Sequence, residues 1–338
     1  MHPSSHRGNR QINSRHLIGL SGMILSALLL LSVTFYVYAS YHNITIEKGV
    51  HVPTVASSPK QAPITCTTPQ HPMVDTTGTI TSDGLKRTFL VHLAASYGRQ
   101  PQPLVILYHG YSWTSQIMEQ TTGMNKEADK AGFVLIYPQG VDTPPSWNAG
   151  VGAYGSTGDA DDVQFTRDML RSIEQNYCVD THRIYVSGFS LGGGMAYRLA
   201  CTFSDKLAAV ATVSGAYYPI PGGCHRHPTR HLPILEIHGA TDQLAPYAGN
   251  VNTRMDGVQD YLEGWLSRNE CNDDSTTFFQ QGDVIGTQWT KCADGVIVRH
   301  YRISNGMHTW PGSPGTTHVI DADVVIWNFF SKFSLANF

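Results

Sequence analysis

Gly188-Phe189-Ser190-Leu191-Gly192 follows the apolar run Arg183-Ile184-Tyr185-Val186 and precedes Gly193-Gly194-Met195-Ala196-Tyr197-Arg198-Leu199-Ala200. That is a strand, a sharp turn with serine at its apex, and a helix. Glycine two residues to either side lets the backbone turn tightly, so the Ser190 hydroxyl would stand exposed above a sheet. The helix starting there aims its N-terminal N–H groups at the place where an oxyanion would form. With 32 glycines in 338 residues, the bare pattern arises by chance in roughly one chain in five. The strand before it and the helix after it are what make it specific. The competing reading is a serine that merely caps the helix.

The rest of the chain continues the alternation. Segments 77–81 and 86–92 flank Ser82-Asp83-Gly84, a hairpin signal. Segments 104–108 and 133–137 are short continuous apolar runs, as strands buried on both faces require. Phe165, Met169, Ile173 and Tyr177 recur at helical spacing. Strands are expected at 184–187, 208–213, 234–237 and 296–303. Val258, Tyr261, Leu262, Trp265 and Leu266 mark an amphipathic helix, and Ala322, Ile326, Phe329, Phe330 and Phe333 a closing one. The expected class is α/β, a mainly parallel central sheet with helices on both faces, forming a single domain over 75–338. No internal repeat is visible.

Ahead of that domain, residues 1–16 form a basic region with Arg7, Arg10 and Arg15, which is expected to stay cytoplasmic. Residues 17–40 are apolar and free of charge. They read either as a signal peptide, with Val37 and Ala39 as small residues at a cleavage site, or as a membrane anchor. Residues 41–74 carry Pro53, Pro59, Pro63, Pro69 and Pro72 and read as an extended stalk. Asn43-Ile44-Thr45 is a formal glycosylation sequon. Both readings of 17–40 place the domain outside the cell, secreted or anchored to the outer face of the cytoplasmic membrane. A net charge of −3 and a charged fraction of 14% give no electrostatic case for nucleic acid. Six cysteines in an exported chain point to disulfides. Proximity favours Cys201–Cys224 and Cys271–Cys292, leaving Cys66–Cys178. With no CxxC and no histidine at ligand spacing to the cysteines, no metal site is expected.

A serine nucleophile needs a base, and the base an orienting acid. In open α/β sheets functional groups gather beyond the carboxyl ends of strands. Asp242 follows strand 234–237 in His238-Gly239-Ala240-Thr241-Asp242, and His308 follows the strand ending at 303 in Gly306-Met307-His308-Thr309-Trp310-Pro311-Gly312. The chain order Ser190, Asp242, His308 is that of α/β-hydrolases. Asp242 as a turn residue and His308 as a loop histidine are the plainer readings. His300 and His318 are rival bases, while His238 at a strand end suits packing. Oxyanion donors would be the backbone N–H groups of Leu191 and Tyr111, with Gly110 as the alternative to Tyr111. Trp113, Trp147, Tyr154 and Trp310 fall in loops near the expected site. They read as substrate-binding residues stacking on a phenolic acid or sugar ring, or as loop packing.

Several ordered motifs together resemble one family, the secreted esterases that group polyhydroxybutyrate depolymerase-like enzymes with feruloyl and acetyl-xylan esterases. They are Trp147-Asn148-Ala149-Gly150, Asp161-Asp162-Val163, the run 183–190, Ala200-Cys201, the segment 238–242, Pro246-Tyr247 and His308-Thr309-Trp310-Pro311-Gly312. The resemblance covers about residues 76–333. It implies an α/β-hydrolase fold with Ser190, Asp242 and His308 as catalytic triad. It also implies hydrolysis of carboxylic esters through an acyl-enzyme that requires no cofactor. Esters derived from plant polysaccharide or polyester are the implied substrates. Asp162 at a helix start fits a structural cap better than a catalytic acid. The chain departs from family habit at Leu191, where Asn or Ala is common, and at 151–155, which lacks the cysteines relatives often carry there. Competing functions are a serine peptidase or acyltransferase on the same fold, and a non-catalytic surface binding protein.

Overall fold

Side chains of the central strands alternate between two apolar layers, which explains why those strands read as unbroken apolar runs. Leu104, Ile106 and Tyr108 enter one core with Val134, Ile136, Ile184 and Val186. Val105, Leu107, Leu135, Tyr137 and Tyr185 enter the other. A strand covered on both faces has no polar face to show.

The computed structural model describes residues 75–98, 100–155, 160–224 and 230–335, all within one compact unit spanning 63–338. The basic region 1–16, the apolar stretch 17–40, the stalk 41–74, the sequon at Asn43 and Cys66 lie outside the described residues. Among the described residues no helix is long and apolar enough to cross a membrane.

The strands are β1 Thr76–Ser82, β2 Leu85–Leu93, β3 Gln102–Tyr108, β4 Val134–Pro138, β5 Val179–Phe189, β6 Ala209–Val213, β7 Ile234–Gly239, β8 Thr276–Gln281, β9 Val284–Trp289 and β10 Val298–Ile303. The helices are α1 Ser115–Thr121, α2 Met124–Ala131, α3 Asp162–Asn176, α4 Leu191–Thr202, α5 Val258–Arg268 and α6 Ala322–Phe330. All ten strands form one sheet in the order β1-β2-β4-β3-β5-β6-β7-β10-β9-β8. From β4 to β10 the pairing is parallel. The outer strands are antiparallel. Apolar side chains of α3, α4 and α5 cover one face, and those of α1, α2 and α6 the other. This is the α/β-hydrolase fold that the strand–helix alternation and the resemblance had led us to expect. The β1–β2 turn takes positive φ at Asp83 (48°) and Gly84 (74°), the backbone that a two-residue hairpin loop demands. Helices α1 and α2 and the β8–β9 hairpin add to the elements expected from sequence.

Cys201 at the end of α4 bonds to Cys224, and Cys271 beyond α5 bonds to Cys292. Cys178 is also disulfide-bonded, while its expected partner Cys66 lies outside the described residues.

Asp162 departs from the sequence reading. The capping oxygen belongs to Asp161, which accepts from the Gln164 N–H at 2.9 Å. Asp162 is the first helical residue and is buried. It meets the buried Arg87 guanidinium at 2.6 Å and accepts the Asn148 N–H at 2.7 Å, while Arg87 stacks on the Phe165 ring at 3.8 Å. Removing one member of a buried pair strands the other charge. Arg87→Met is therefore expected to lower unfolding free energy by about 3–5 kcal/mol. Urea unfolding would check it, and a loss below about 1 kcal/mol would show the pair to be solvated.

Candidate active site

Ser190 sits between β5 and α4 with φ 57° and ψ −122°, a backbone that non-glycine residues rarely adopt. Such strain costs on the order of 1–3 kcal/mol and persists only where neighbours over-determine it. Here the Ser190 N–H donates to the Val213 carbonyl at 3.0 Å. Its own carbonyl accepts from Gly194 at 3.1 Å and Ala216 at 3.0 Å. The turn also needs glycine at 192, where an added Cβ would lie 2.1 Å from the Tyr108 carbonyl oxygen. The Ser190 side chain makes no capping bond to α4, which removes the competing reading of a helix-cap serine.

Asp242 lies just past β7, and His308 just past the neighbouring parallel strand β10. His308 Nδ1 lies 2.7 Å from Asp242 Oδ2. The other carboxylate oxygen, Oδ1, accepts the N–H groups of Leu244 and Ala245, each at 2.9 Å. Burial alone would raise the Asp242 carboxyl. Hydrogen bonds from His238 and His308, together with the Ala245 N–H, overcome that and hold it well below the ordinary carboxylate range. The two loops are also tied to each other. Thr241 gives both its N–H (3.0 Å) and its hydroxyl (2.8 Å) to the Gly306 carbonyl. Gly239 completes the contact, since a Cβ there would sit 2.2 Å from the same oxygen. The His308 ring packs on Phe189, the residue before the serine, with centroids 4.8 Å apart.

The loop after β3 is set by His109. Its Nε2 accepts the Gly140 N–H at 2.9 Å, so Nδ1 carries the hydrogen and donates to the Gly110 carbonyl at 2.8 Å. Burial keeps this ring neutral, lowering it to about 4. The Gly110 carbonyl also accepts from Trp113 N–H at 3.2 Å, and the Ser112 N–H is taken by the Pro145 carbonyl at 2.9 Å. In a trans peptide the N–H points opposite to the C=O. Fixing the Gly110 carbonyl toward His109 and Trp113 therefore turns the Tyr111 N–H the other way.

A cavity of about 730 Å³ opens here and is lined by Ser190, His308, Leu191, Gly110 and Tyr111. Trp113, Tyr154 and Trp310 form part of its wall. Trp310 is buried and donates its indole N–H to Asp323 at 3.1 Å, whereas Tyr154 is 65% exposed and stacks edge-on against Tyr111. Trp147 is not among the lining residues. It is fully buried beneath the β3 loop, donates its indole N–H to the His109 carbonyl at 2.8 Å and packs against Tyr108. It supports the loop from below. Of the rival bases, His318 is exposed on the surface and His300 is buried against Glu236 at 2.6 Å. Neither lines the cavity. The sequence reading missed His109 as the residue that orients the loop, although its place at the end of a buried strand was visible.

The family model for phospholipases and carboxylesterases matches residues 93–256. Feruloyl esterase B of Piromyces equi is 29% identical over 249 residues, covering 70% of this chain and 43% of that protein. A bifunctional acetylxylan esterase/xylanase of Neocallimastix patriciarum is 26% identical, covering 72% of this chain and 33% of that protein. The chain thus spans less than half the length of these two relatives. A putative esterase of Nocardia uniformis subsp. tsuyamanensis is 33% identical over 268 residues, covering 72% of this chain and 77% of that protein. Among solved structures, acetyl xylan esterase from Aspergillus awamori superposes with a TM-score of 0.56 at 14% identity. The match covers 76% of this chain and 99% of that one, a shared fold.

Proposed function

Because the chain belongs to the phospholipase/carboxylesterase family of α/β-hydrolases, we propose that it is an exported serine esterase acting on esters of the feruloyl or acetyl-xylan type. The observation that carries this reading is the 2.7 Å Asp242–His308 contact beside a cavity that also holds Ser190 on its strained turn.

The chemistry follows from these groups. Ser190 Oγ attacks the ester carbonyl carbon while His308 Nε2 takes the hydroxyl proton. Asp242, ionised and fixed by two backbone N–H groups, keeps the hydrogen on Nδ1 and so leaves Nε2 free to accept. The carbonyl oxygen, now negative, accepts hydrogen bonds from the backbone N–H groups of Leu191 and Tyr111. Collapse expels the alcohol, which takes the proton back from His308. Water then repeats the sequence on the acyl-enzyme and releases the acid. None of these steps calls for a cofactor or metal.

The relatives' names support esters of phenolic or acetyl groups on plant polysaccharide as substrates. A volume of about 730 Å³ exceeds what an acetyl group alone would fill, and it leaves room for a bulky acyl or alcohol part. Disulfides within the described domain support export, as does the apolar stretch 17–40 ahead of the 41–74 stalk.

The test is initial rate on p-nitrophenyl acetate and butyrate, methyl ferulate, acetylated xylan and a hydroxybutyrate oligomer, with Ser190→Ala as control. Hydrolysis that disappears in the control is expected. Absence of Ser190-dependent turnover on every ester, or equal turnover of peptide amides, would overturn the reading. Trp113 lines the cavity with its ring 5.0 Å from that of Phe189. Trp113→Ala is expected to raise KM for methyl ferulate by about 3- to 10-fold, the worth of one aromatic contact, and to leave p-nitrophenyl acetate nearly unchanged. An equal rise for both esters would place Trp113 outside acyl recognition.

A further inference from the structure

Next to Asp242 lies a buried ion pair that the proposed chemistry does not use. Glu236 and His238 are two residues apart on β7 and therefore face the same side of the sheet. The parallel register with β10 sets His300 directly opposite Glu236. Glu236 Oε1 meets His238 Nδ1 at 2.8 Å, and Oε2 meets His300 Nδ1 at 2.6 Å. On its other edge, His238 Nε2 donates to the Ala245 carbonyl at 2.8 Å and lies 3.4 Å from Asp242 Oδ2.

These contacts fix the charge of His238. A carbonyl oxygen only accepts, so Nε2 carries a hydrogen. Glu236 Oε1 also receives the Tyr217 hydroxyl at 3.1 Å. Against the cost of burial the neighbouring His238 and His300 hold the carboxyl well below the ordinary carboxylate range, so it is ionised and His238 Nδ1 carries a hydrogen as well. Both nitrogens protonated means imidazolium. Burial opposes that charge, but the Glu236 carboxylate overcomes it and holds His238 well above the ordinary range for histidine. The other titratable or charged groups facing the pair are Tyr217 after β6, Tyr261 on α5, His300 on β10, and Tyr247, which bonds His300 at 2.7 Å and lies under Arg302. His308 meets the same carboxylate oxygen of Asp242, Oδ2, at 2.7 Å.

We propose that His238, ion-paired to Glu236, is a positioning residue: a fixed cation beside the Asp242 carboxylate that opposes a second positive charge on His308 and so extends activity to lower pH. The inference rests on the reading of Asp242 and His308 as acid and base. The sign follows from Coulomb's law. A cation beside the Asp242 carboxylate offsets part of the negative field felt at His308, so protonating His308 becomes harder and the free base persists further into acid. The Ala245 carbonyl bond gives His238 a second effect, because it pins the segment whose N–H groups orient Asp242.

The experiment is the pH dependence of kcat/KM on p-nitrophenyl acetate from mildly acidic to alkaline pH. It compares the wild-type protein with Glu236→Gln, His238→Gln and the Ser190→Ala control. Both substitutions are expected to move the acid limb upward, His238→Gln by about one pH unit through loss of the cation and Glu236→Gln through loss of the carboxylate that keeps His238 protonated. Merely structural damage would lower the plateau and leave the limb in place. Unshifted limbs with Ser190-dependent turnover intact would overturn the inference and leave the esterase reading standing. Loss of Ser190 dependence in the wild type would overturn both. Nitrogen-15 spectra of the wild-type imidazoles give a check that needs no variant. His238 is expected to keep both ring hydrogens at neutral pH, and a neutral ring there would overturn the proposal.

Discussion

Replacing Ser190 with alanine is expected to lower kcat on p-nitrophenyl esters by about a hundred-thousand- to a million-fold and to leave the fold unchanged. The size follows from removing the atom proposed to form the acyl bond, so that only the proposed oxyanion donors and the bound geometry would remain to assist water. Stability should stay within about 0.5 kcal/mol of wild type. The Ser190 hydroxyl gives α4 no capping bond, and alanine keeps the Cβ and therefore the same cost at φ 57°. Rate assays and thermal unfolding on one preparation check both halves. Residual activity above about 1% would mean that another residue carries the reaction.

Asp242→Asn is expected to cost about 10,000-fold in kcat, for a reason the local geometry makes specific. Oδ1 accepts two backbone N–H groups, from Leu244 and Ala245. An asparagine must put its carbonyl oxygen at that position, because an NH2 would face two donors. Its NH2 is then forced to the Oδ2 position, 2.7 Å from His308 Nδ1. Donation from that NH2 makes Nδ1 the acceptor and moves the imidazole hydrogen to Nε2, where it can no longer take the serine proton. The burial of the residue should keep the variant folded but less stable, since the side chain also meets His238 at 3.4 Å. Kinetics together with an imidazole nitrogen spectrum would check this. A loss of less than about tenfold would mean that Asp242 does not set the tautomer.

How much of this was legible in the chain depends on which force shaped each element. The strands β3, β4, β6 and β7 are buried along their whole length, and most of their residues are apolar, so they could be read directly even though β6 carries Thr212 and β7 carries Glu236 and His238. The turn at Ser190 was legible because backbone closeness at 192 leaves glycine alone there. The β8–β9 hairpin was not, since β8 is an edge strand, exposed or half-buried throughout, and carries Thr276, Thr277, Gln280 and Gln281. Such a strand needs neither an apolar run nor strict alternation. Helices α1 and α2 are about two turns long and mostly polar, too short for a 3.6-residue period to emerge. Trp147 shows a different limit. An indole in a loop has the same local sequence whether it faces a ligand or props up a neighbouring loop, and the His109 carbonyl that decides the matter lies 38 residues away. The Glu236–His238–His300 cluster is in between. Spacing by two on β7 was visible, but its meaning depends on the β10 register, which no local pattern encodes.

The proposed reacting groups and the cavity wall are carried by different parts of the molecule. Ser190 is fused to the sheet, and Asp242 and His308 are bolted to one another through Thr241 and Gly306. The wall around them is drawn from loops: 110–113, Tyr154, 244–255 and 309–316. Apart from Ala245 and Trp310, which belong to the apolar layers, substitutions there leave the buried strands and their parallel register in place. A lineage built on this frame can therefore drift in what it accepts without first giving up the ability to react, and laboratory selection for a new acyl group should find most of its gains in those loops.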